Sequence, residues 1–131
     1  MSSETYLPEE RTKDLTEISR ALAVLVAEQD SYSYVDKISY APSVDLAIYY
    51  IREALRDLHS LIRGGSFENK LAKKEANRIR YDAIDRALNF ITSIRSRKDL
   101  REVASLVAAK ALSISAKLKI GASSTRGGES E

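Results

Sequence analysis

Apolar side chains recur every three or four residues along almost the whole chain, and only two prolines and five glycines among 131 residues interrupt them. Four of those glycines stand in pairs, Gly64-Gly65 and Gly127-Gly128, at the ends of periodic segments rather than inside them. A period near 3.6 lines one side of a helix and cannot line one face of a strand, so a chain of this kind folds as packed helices. No strand is predicted.

The helix boundaries follow from local chemistry. Pro8 marks a first start, because a first-turn N–H has no intrahelical partner to lose. Leu15, Ile18, Leu22, Leu25 and Val26 then repeat at helical spacing to about Gln29. Asp30 or Ser31 caps a short second helix carrying Tyr34, Val35, Ile38 and Ala41, which Pro42 ends. Ser43 caps a long third helix with a stripe from Val44 to Ile62, stopped by Gly64-Gly65. A fourth runs unbroken from Glu68 or Asn69 to about Ile94. Ser96 and Asp99 form a capping box that opens a fifth, ended by Gly121.

The expectation is therefore an all-α single domain over residues 1–120, a helical bundle of four long helices plus one short helix, with 121–131 a disordered C-terminal tail too poor in apolar residues to order itself. Its predicted core is Ile18, Leu22, Leu25, Ile48, Ile51, Leu55, Ile84, Leu88, Ile91, Val103, Val107 and Ile114.

The absence of cysteine excludes a disulfide framework, a thiolate metal site and a thiol nucleophile. The acidic N-terminal stretch has no apolar run and does not read as a signal or transit peptide, and no apolar window reaches membrane-spanning length. A cytoplasmic location is the expectation. A charged fraction of 31%, a single glutamine and few asparagines give the bias of proteins from hot environments, and a thermophilic source is expected. The small net charge of +2 conceals an asymmetry: residues 1–62 hold 6 Lys and Arg against 11 Asp and Glu, and residues 63–131 hold 15 against 8.

Little in the chain suggests catalysis. His59 is the only histidine, and neither a serine nucleophile elbow nor paired E-x-x-H sequences accompany it. Gly64-Gly65 lacks the rest of a phosphate loop. No enzyme activity, cofactor or metal is expected. One alternative stays open: Arg52 and His59, separated by six residues on one helix, resemble the R-x(4–6)-H motif of HEPN-type ribonucleases.

The basic half carries the stronger signal. Lys70, Lys73, Lys74, Asn77 and Arg78 fall at i, i+3, i+4, i+7 and i+8 and share one helix face, and Arg95, Arg97, Lys98 and Arg101 cluster at the next turn. Cations on rigid helices with no base-reading motif suit phosphate contact indifferent to sequence. The competing reading is a solvated face laced with ion pairs to Glu75, Asp82 and Asp85. In SYSYVDKISY, residues 31–40, Tyr34 and Ile38 are expected to face the core, whereas Tyr32 and Tyr40 keep accessible rings, so the short helix reads as a lid with a docking edge.

SYSYVDKISYAPS, then LAIYYIREALRDLHSLI, ANRIRYDAIDRALNFI and LREVASLVAAKALSISAK, resemble the small helical subunit of archaeal type I-A CRISPR effector (Cascade-like) complexes, over roughly Leu15 to Lys117. That resemblance implies a non-catalytic helical protein in antiviral defence. Copies of it pack along a guide-bearing backbone beside other effector subunits and guide RNA, and present basic surface to target or displaced-strand DNA, single-stranded or in an R-loop. In such complexes base pairing reads the sequence and the protein needs only backbone contacts. Weak, salt-sensitive, head-to-tail self-association of the acidic half against the basic half is expected. The alternative to both readings is a helical protein-binding adaptor without nucleic-acid contact.

Overall fold

The segment ALAVLVA, residues 21–27, is apolar on every side of a helix, and a helix apolar all round belongs in the interior. The structure, a computed structural model, describes residues 7–129, with side chains as far as Gly121. The ALAVLVA segment lies in α1 (Glu9–Gln29), followed by α2 (Ser33–Ser39), α3 (Val44–Gly64), α4 (Lys70–Arg78), α5 (Tyr81–Thr92) and α6 (Arg97–Glu129). No strand occurs among the described residues, and no helix there is long and apolar enough to cross a membrane. Ala21 through Val26 are all buried, and α1 packs against α3, α4, α5 and α6.

Side-chain pairings fix the helix directions. Arg11 lies over Phe90, Asp14 pairs with Arg86, Glu17 reaches Arg80, Arg20 pairs with Glu75, and Glu28 reaches Asn69. Along α1 the partners' numbers fall, so α4 and α5 together run antiparallel to it. Ser19 donates to the Val107 carbonyl and Lys119 pairs with Asp30, so α6 runs parallel to α1. The His59 ring lies against Tyr81 while Val44 shares a cleft with Ile94, which makes α3 antiparallel to α5. The short α2 is the return from the end of α1 to the start of α3.

Several local signals act as the sequence predicts. The Ser43 hydroxyl oxygen accepts from the Leu46 N–H at 3.2 Å, Gly65 closes α3 in the left-handed region at φ 65°, and the Ser96 hydroxyl oxygen accepts from the Asp99 N–H at 3.1 Å. Of the expected core, Ile18, Leu22, Leu25, Ile51, Ile84, Leu88, Ile91, Val103 and Val107 are buried.

Other expectations are corrected. The predicted fourth helix is two helices, since Ile79 and Arg80 are extended at ψ 133° and 103°, and the count among the described residues is six. Asp30 does not cap α2 but closes α1 in the left-handed region at φ 52°, its N–H on the Val26 carbonyl; Tyr32 takes the N-cap position of α2, and the Ser31 hydroxyl oxygen accepts from the Ser33 N–H at 3.4 Å. Ile48, Leu55 and Ile114 are only partly buried. On α3 the deepest line is Ala47, Ile51, Ala54 and Leu58, and Ile48 and Leu55 lie to one side of it. Gly121 does not end α6. It has no positive φ, and the helical backbone continues through the expected tail to Glu129. Residues 1–6, assigned to the domain, and 130–131, assigned to the tail, lie outside the described residues.

Candidate nucleic-acid interface

The α4 stripe rests on a firmly fixed helix. The Asn69 side-chain oxygen accepts from the Ala72 N–H at 2.9 Å, and the Glu28 carboxylate accepts from the N–H groups of Glu68 and Asn69 at 2.8 and 3.0 Å. Four first-turn donors of a helix lack intrahelical partners, and these two residues supply acceptors at that end. Ala72 and Ala76 are buried against the bundle, and Leu71 approaches Gly121 so closely that a Cβ on the glycine would stand 2.4 Å from Leu71 Cδ1. Lys70, Lys73, Lys74, Asn77 and Arg78 are left exposed, as their spacing predicts.

Arg95, Arg97, Lys98 and Arg101 are also exposed, around the α5–α6 turn and the first turn of α6. The structure does not bring the two sets together. Between Arg78 and Arg95 lies the length of α5, about 18 Å at the helical rise. The second set borders two adjoining clefts. One, of about 180 Å³, is lined by Ser39, Tyr40, Ala41, Pro42, Arg97, Leu100 and Arg101. The other, of about 170 Å³, runs from Pro42, Ser43 and Val44 to Ile94, Arg95, Ser96 and Arg97, over Leu100.

Two of the three acids expected to neutralise the α4 stripe are engaged elsewhere, and Asp85 is exposed and forms no ion pair among the described residues. Glu75 pairs with Arg20 of α1 at 3.5 Å, and Asp82 with Arg80 and Arg86 at 3.3 and 3.2 Å. The hydrogen bond from Arg86 holds the Asp82 carboxyl below the ordinary carboxylate value, and Asp14 and Asp82 together push the Arg86 guanidinium up. Among the described residues, no ion pair forms at Lys70, Lys73, Lys74, Arg78, Arg95, Arg97, Lys98 or Arg101. The charge asymmetry between the halves is in part internal: Asp14 and Glu17 are buried and turned towards α5.

The three tyrosines of the short helix divide the labour. Tyr34 is half-buried, and its hydroxyl donates to Asp57 of α3 at 2.5 Å, which with burial pushes its ionisation up to about 12. Lys37 Nζ lies over the Tyr34 and Tyr50 rings, 5.8 and 5.7 Å from their centroids. Tyr32 accepts from Lys119, which also bonds Asp30 at 2.7 Å; that bond lowers the Asp30 pKa and raises that of Lys119. Tyr32 and Tyr40 are both exposed, as expected, and Tyr40 is the more open, 81% exposed at the rim of the larger cleft.

Arg52 and His59 are both exposed on α3, two turns apart, and the His59 ring centroid lies 5.1 Å from that of Tyr81. Burial of Tyr81 raises its phenol pKa. Among the described residues, no group of three or more His, Cys, Asp or Glu is placed to hold a metal ion. Sequence reasoning missed the part of Tyr40 and Pro42 in the clefts and the capping by Glu17 and Glu28. The residues they meet are 40 to 63 positions away, and no local pattern marks such pairs.

A protein of Archaeoglobus fulgidus described as an uncharacterized protein is 50% identical to this chain over 107 residues, 82% of this chain and 92% of the relative. No family model matches the chain. No solved structure matches it.

Proposed function

We propose that this chain, which belongs to one family with the uncharacterized Archaeoglobus fulgidus protein, is a non-catalytic nucleic-acid-associated subunit: the small helical subunit of a type I-A CRISPR interference ribonucleoprotein. In this reading it lines the complex and contacts target or displaced-strand DNA without regard to sequence. The observation that carries the reading is the unneutralised charge of α4. Glu75 and Asp82, two of the three acids expected to cancel it, pair with Arg20, Arg80 and Arg86, and Lys70, Lys73, Lys74 and Arg78 face solvent without an ion-pair partner among the described residues. A face meant only for solvation in an ion-pair-rich protein would be expected to alternate paired charges.

The resemblance in residues 15–117 supports the assignment to such a complex, and the relative agrees with the archaeal origin which that resemblance implies. Its partners in this reading are the other effector subunits, guide RNA, single-stranded or R-loop DNA, and further copies of itself through weak contacts. The test is a pull-down of the tagged chain from its native host. Recovery of guide RNA with other effector subunits is expected, and clean recovery of an unrelated protein assembly would sink the proposal. Incubation with labelled RNA checks the ribonuclease alternative: cleavage abolished by His59→Ala would replace the proposal with an enzyme.

A further inference from the structure

The two basic patches differ in kind. The α4 stripe is mainly lysine on an exposed helix face, whereas at the far end of the bundle the cations that line a recess are all arginines. Arg97 and Leu100 border both clefts with Pro42, so these form one groove. Its apolar floor is Leu100 and Ile94, each less than a tenth exposed. Arg97 and Arg101 edge one half and Arg95 and Arg97 the other, and no aspartate or glutamate lines either half. The first turns of α3 and α6 also begin there, with Asp45 and Asp99 in those turns offsetting the positive ends of the two helix dipoles.

Guanidinium groups present a planar fork of donors that matches a phosphate's oxygens, which an ammonium does not. Each half of the groove is too small to enclose a drug-sized ligand. It is suited to a phosphate group whose remainder lies outside, and outside the larger half stands the exposed Tyr40 ring. Accessible aromatic rings beside a cationic groove stack unpaired bases, because every base offers a π-face.

We propose that this groove seats the backbone phosphate of a single-stranded nucleic acid on Arg95, Arg97 and Arg101, with the adjoining base stacked on Tyr40. The inference rests on the nucleic-acid reading given above and locates its contact at the groove. The lysines of α4 then supply long-range attraction, and the groove supplies the preference for unpaired strand.

The test is fluorescence anisotropy on the full chain with a labelled unstructured single-stranded oligonucleotide and its duplex. The variants are an Arg95→Gln, Arg97→Gln, Arg101→Gln triple, Tyr40→Ala, and a Lys70→Gln, Lys73→Gln, Lys74→Gln, Arg78→Gln quadruple, each checked for native helicity and thermal midpoint. All the residues changed are exposed, so the variants are expected to fold. Tyr40→Ala should lower single-strand affinity roughly 5- to 150-fold with its salt dependence unchanged. The groove triple should lower the log–log salt slope by about two units, at roughly 0.7 per phosphate contact. Both should abolish the preference for single strand over duplex, and the α4 quadruple should retain it.

Full single-strand affinity and preference in the groove triple and in Tyr40→Ala, with loss in the α4 quadruple, overturns the groove and leaves the nucleic-acid reading standing. Absence of nucleic-acid binding by the unaltered chain, alone and in its assembled complex, overturns both. Titration with inorganic phosphate and with a nucleoside monophosphate separates the sources of the phosphate: weak competition, at millimolar levels, is expected. Saturation by either as tight as by the oligonucleotide overturns a polymer as the occupant.

Discussion

The carboxylate of Glu17, on the central helix, accepts the backbone N–H of Arg80 at 2.9 Å, 63 residues further along the chain. That contact caps the start of α5 and holds open the break in what the apolar periodicity describes as one helix. Neither proline nor glycine stands at Ile79-Arg80, and Ala76, Ile79, Ala83 and Ile84 keep helical spacing across it. Glu17 is buried, so its removal strands the Arg80 donor and leaves Arg20 with Glu75 as its ion-pair partner. Glu17→Ala is expected to cost about 1–3 kcal/mol in urea unfolding, and Glu17→Gln, which keeps an oxygen acceptor, less. Equal losses in the two variants would mean that the cap contributes nothing.

The Tyr34 hydroxyl and Asp57 join the short helix to α3. A phenol whose folded pKa is raised favours the folded state while it keeps its proton. The contribution is fully present below the unfolded value near 10, and is lost as pH rises through about 12. Tyr34→Phe should lower stability by about 1 kcal/mol at neutral pH and remove the part of the alkaline loss that falls between pH 10 and 12. Chemical denaturation at neutral and alkaline pH measures both effects. An undiminished alkaline loss in the variant would assign it to another group.

Just before the short helix, Lys119 holds Asp30 and lowers its pKa. The sign is that of a depressed carboxyl: the stabilisation is present above the ordinary value of 3.8 and is lost as pH falls below it. In a carboxyl-detected NMR titration Asp30 should have a midpoint below that of an exposed aspartate, and Lys119→Ala should return it to the ordinary range. An unmoved midpoint in the variant would remove Lys119 as the cause.

Gly121 and Leu71 meet where α4 touches α6. Alanine is better than glycine inside a helix by about 1 kcal/mol. In the unaltered chain the new Cβ of Gly121→Ala displaces Leu71 Cδ1, which an ideal Cβ would approach to 2.4 Å. The substitution should therefore stabilise the Leu71→Ala background by close to the full amount and the unaltered chain by less. A double-mutant cycle by thermal unfolding reads the difference, and a coupling of zero would mean that the two helices do not meet at that point.

For the α4 stripe, each lost phosphate contact should lower the log–log salt slope of single-stranded DNA binding by about 0.7, whatever the DNA sequence. Replacing Lys70, Lys73, Lys74 and Arg78 by glutamine lowers both affinity and slope in this reading. Unchanged affinity in the fourfold variant, free or within the assembled complex, would reduce the stripe to a solvated face.

Helix identity was set by the sequence alone, because the period of apolar side chains and the chemistry of a cap are local. Ser43, Ser96 and Gly65 act within three or four residues of themselves, and ALAVLVA demands burial on every side wherever the helix sits. The cations of α4 were legible as a stripe for the same reason. Tertiary structure decided what depends on partners brought together from far along the chain. The break at Ile79-Arg80 needs Glu17, the fixed start of α4 needs Glu28, and Gly121 serves as a notch for Leu71 rather than as a stop. Whether a cation is neutralised is decided in the same way, since Glu75 stands on the α4 helix yet turns to Arg20 of α1. The groove joins residues 39–44 to residues 94–101, and a one-dimensional pattern carries no record of which distant segments a packed core will set side by side.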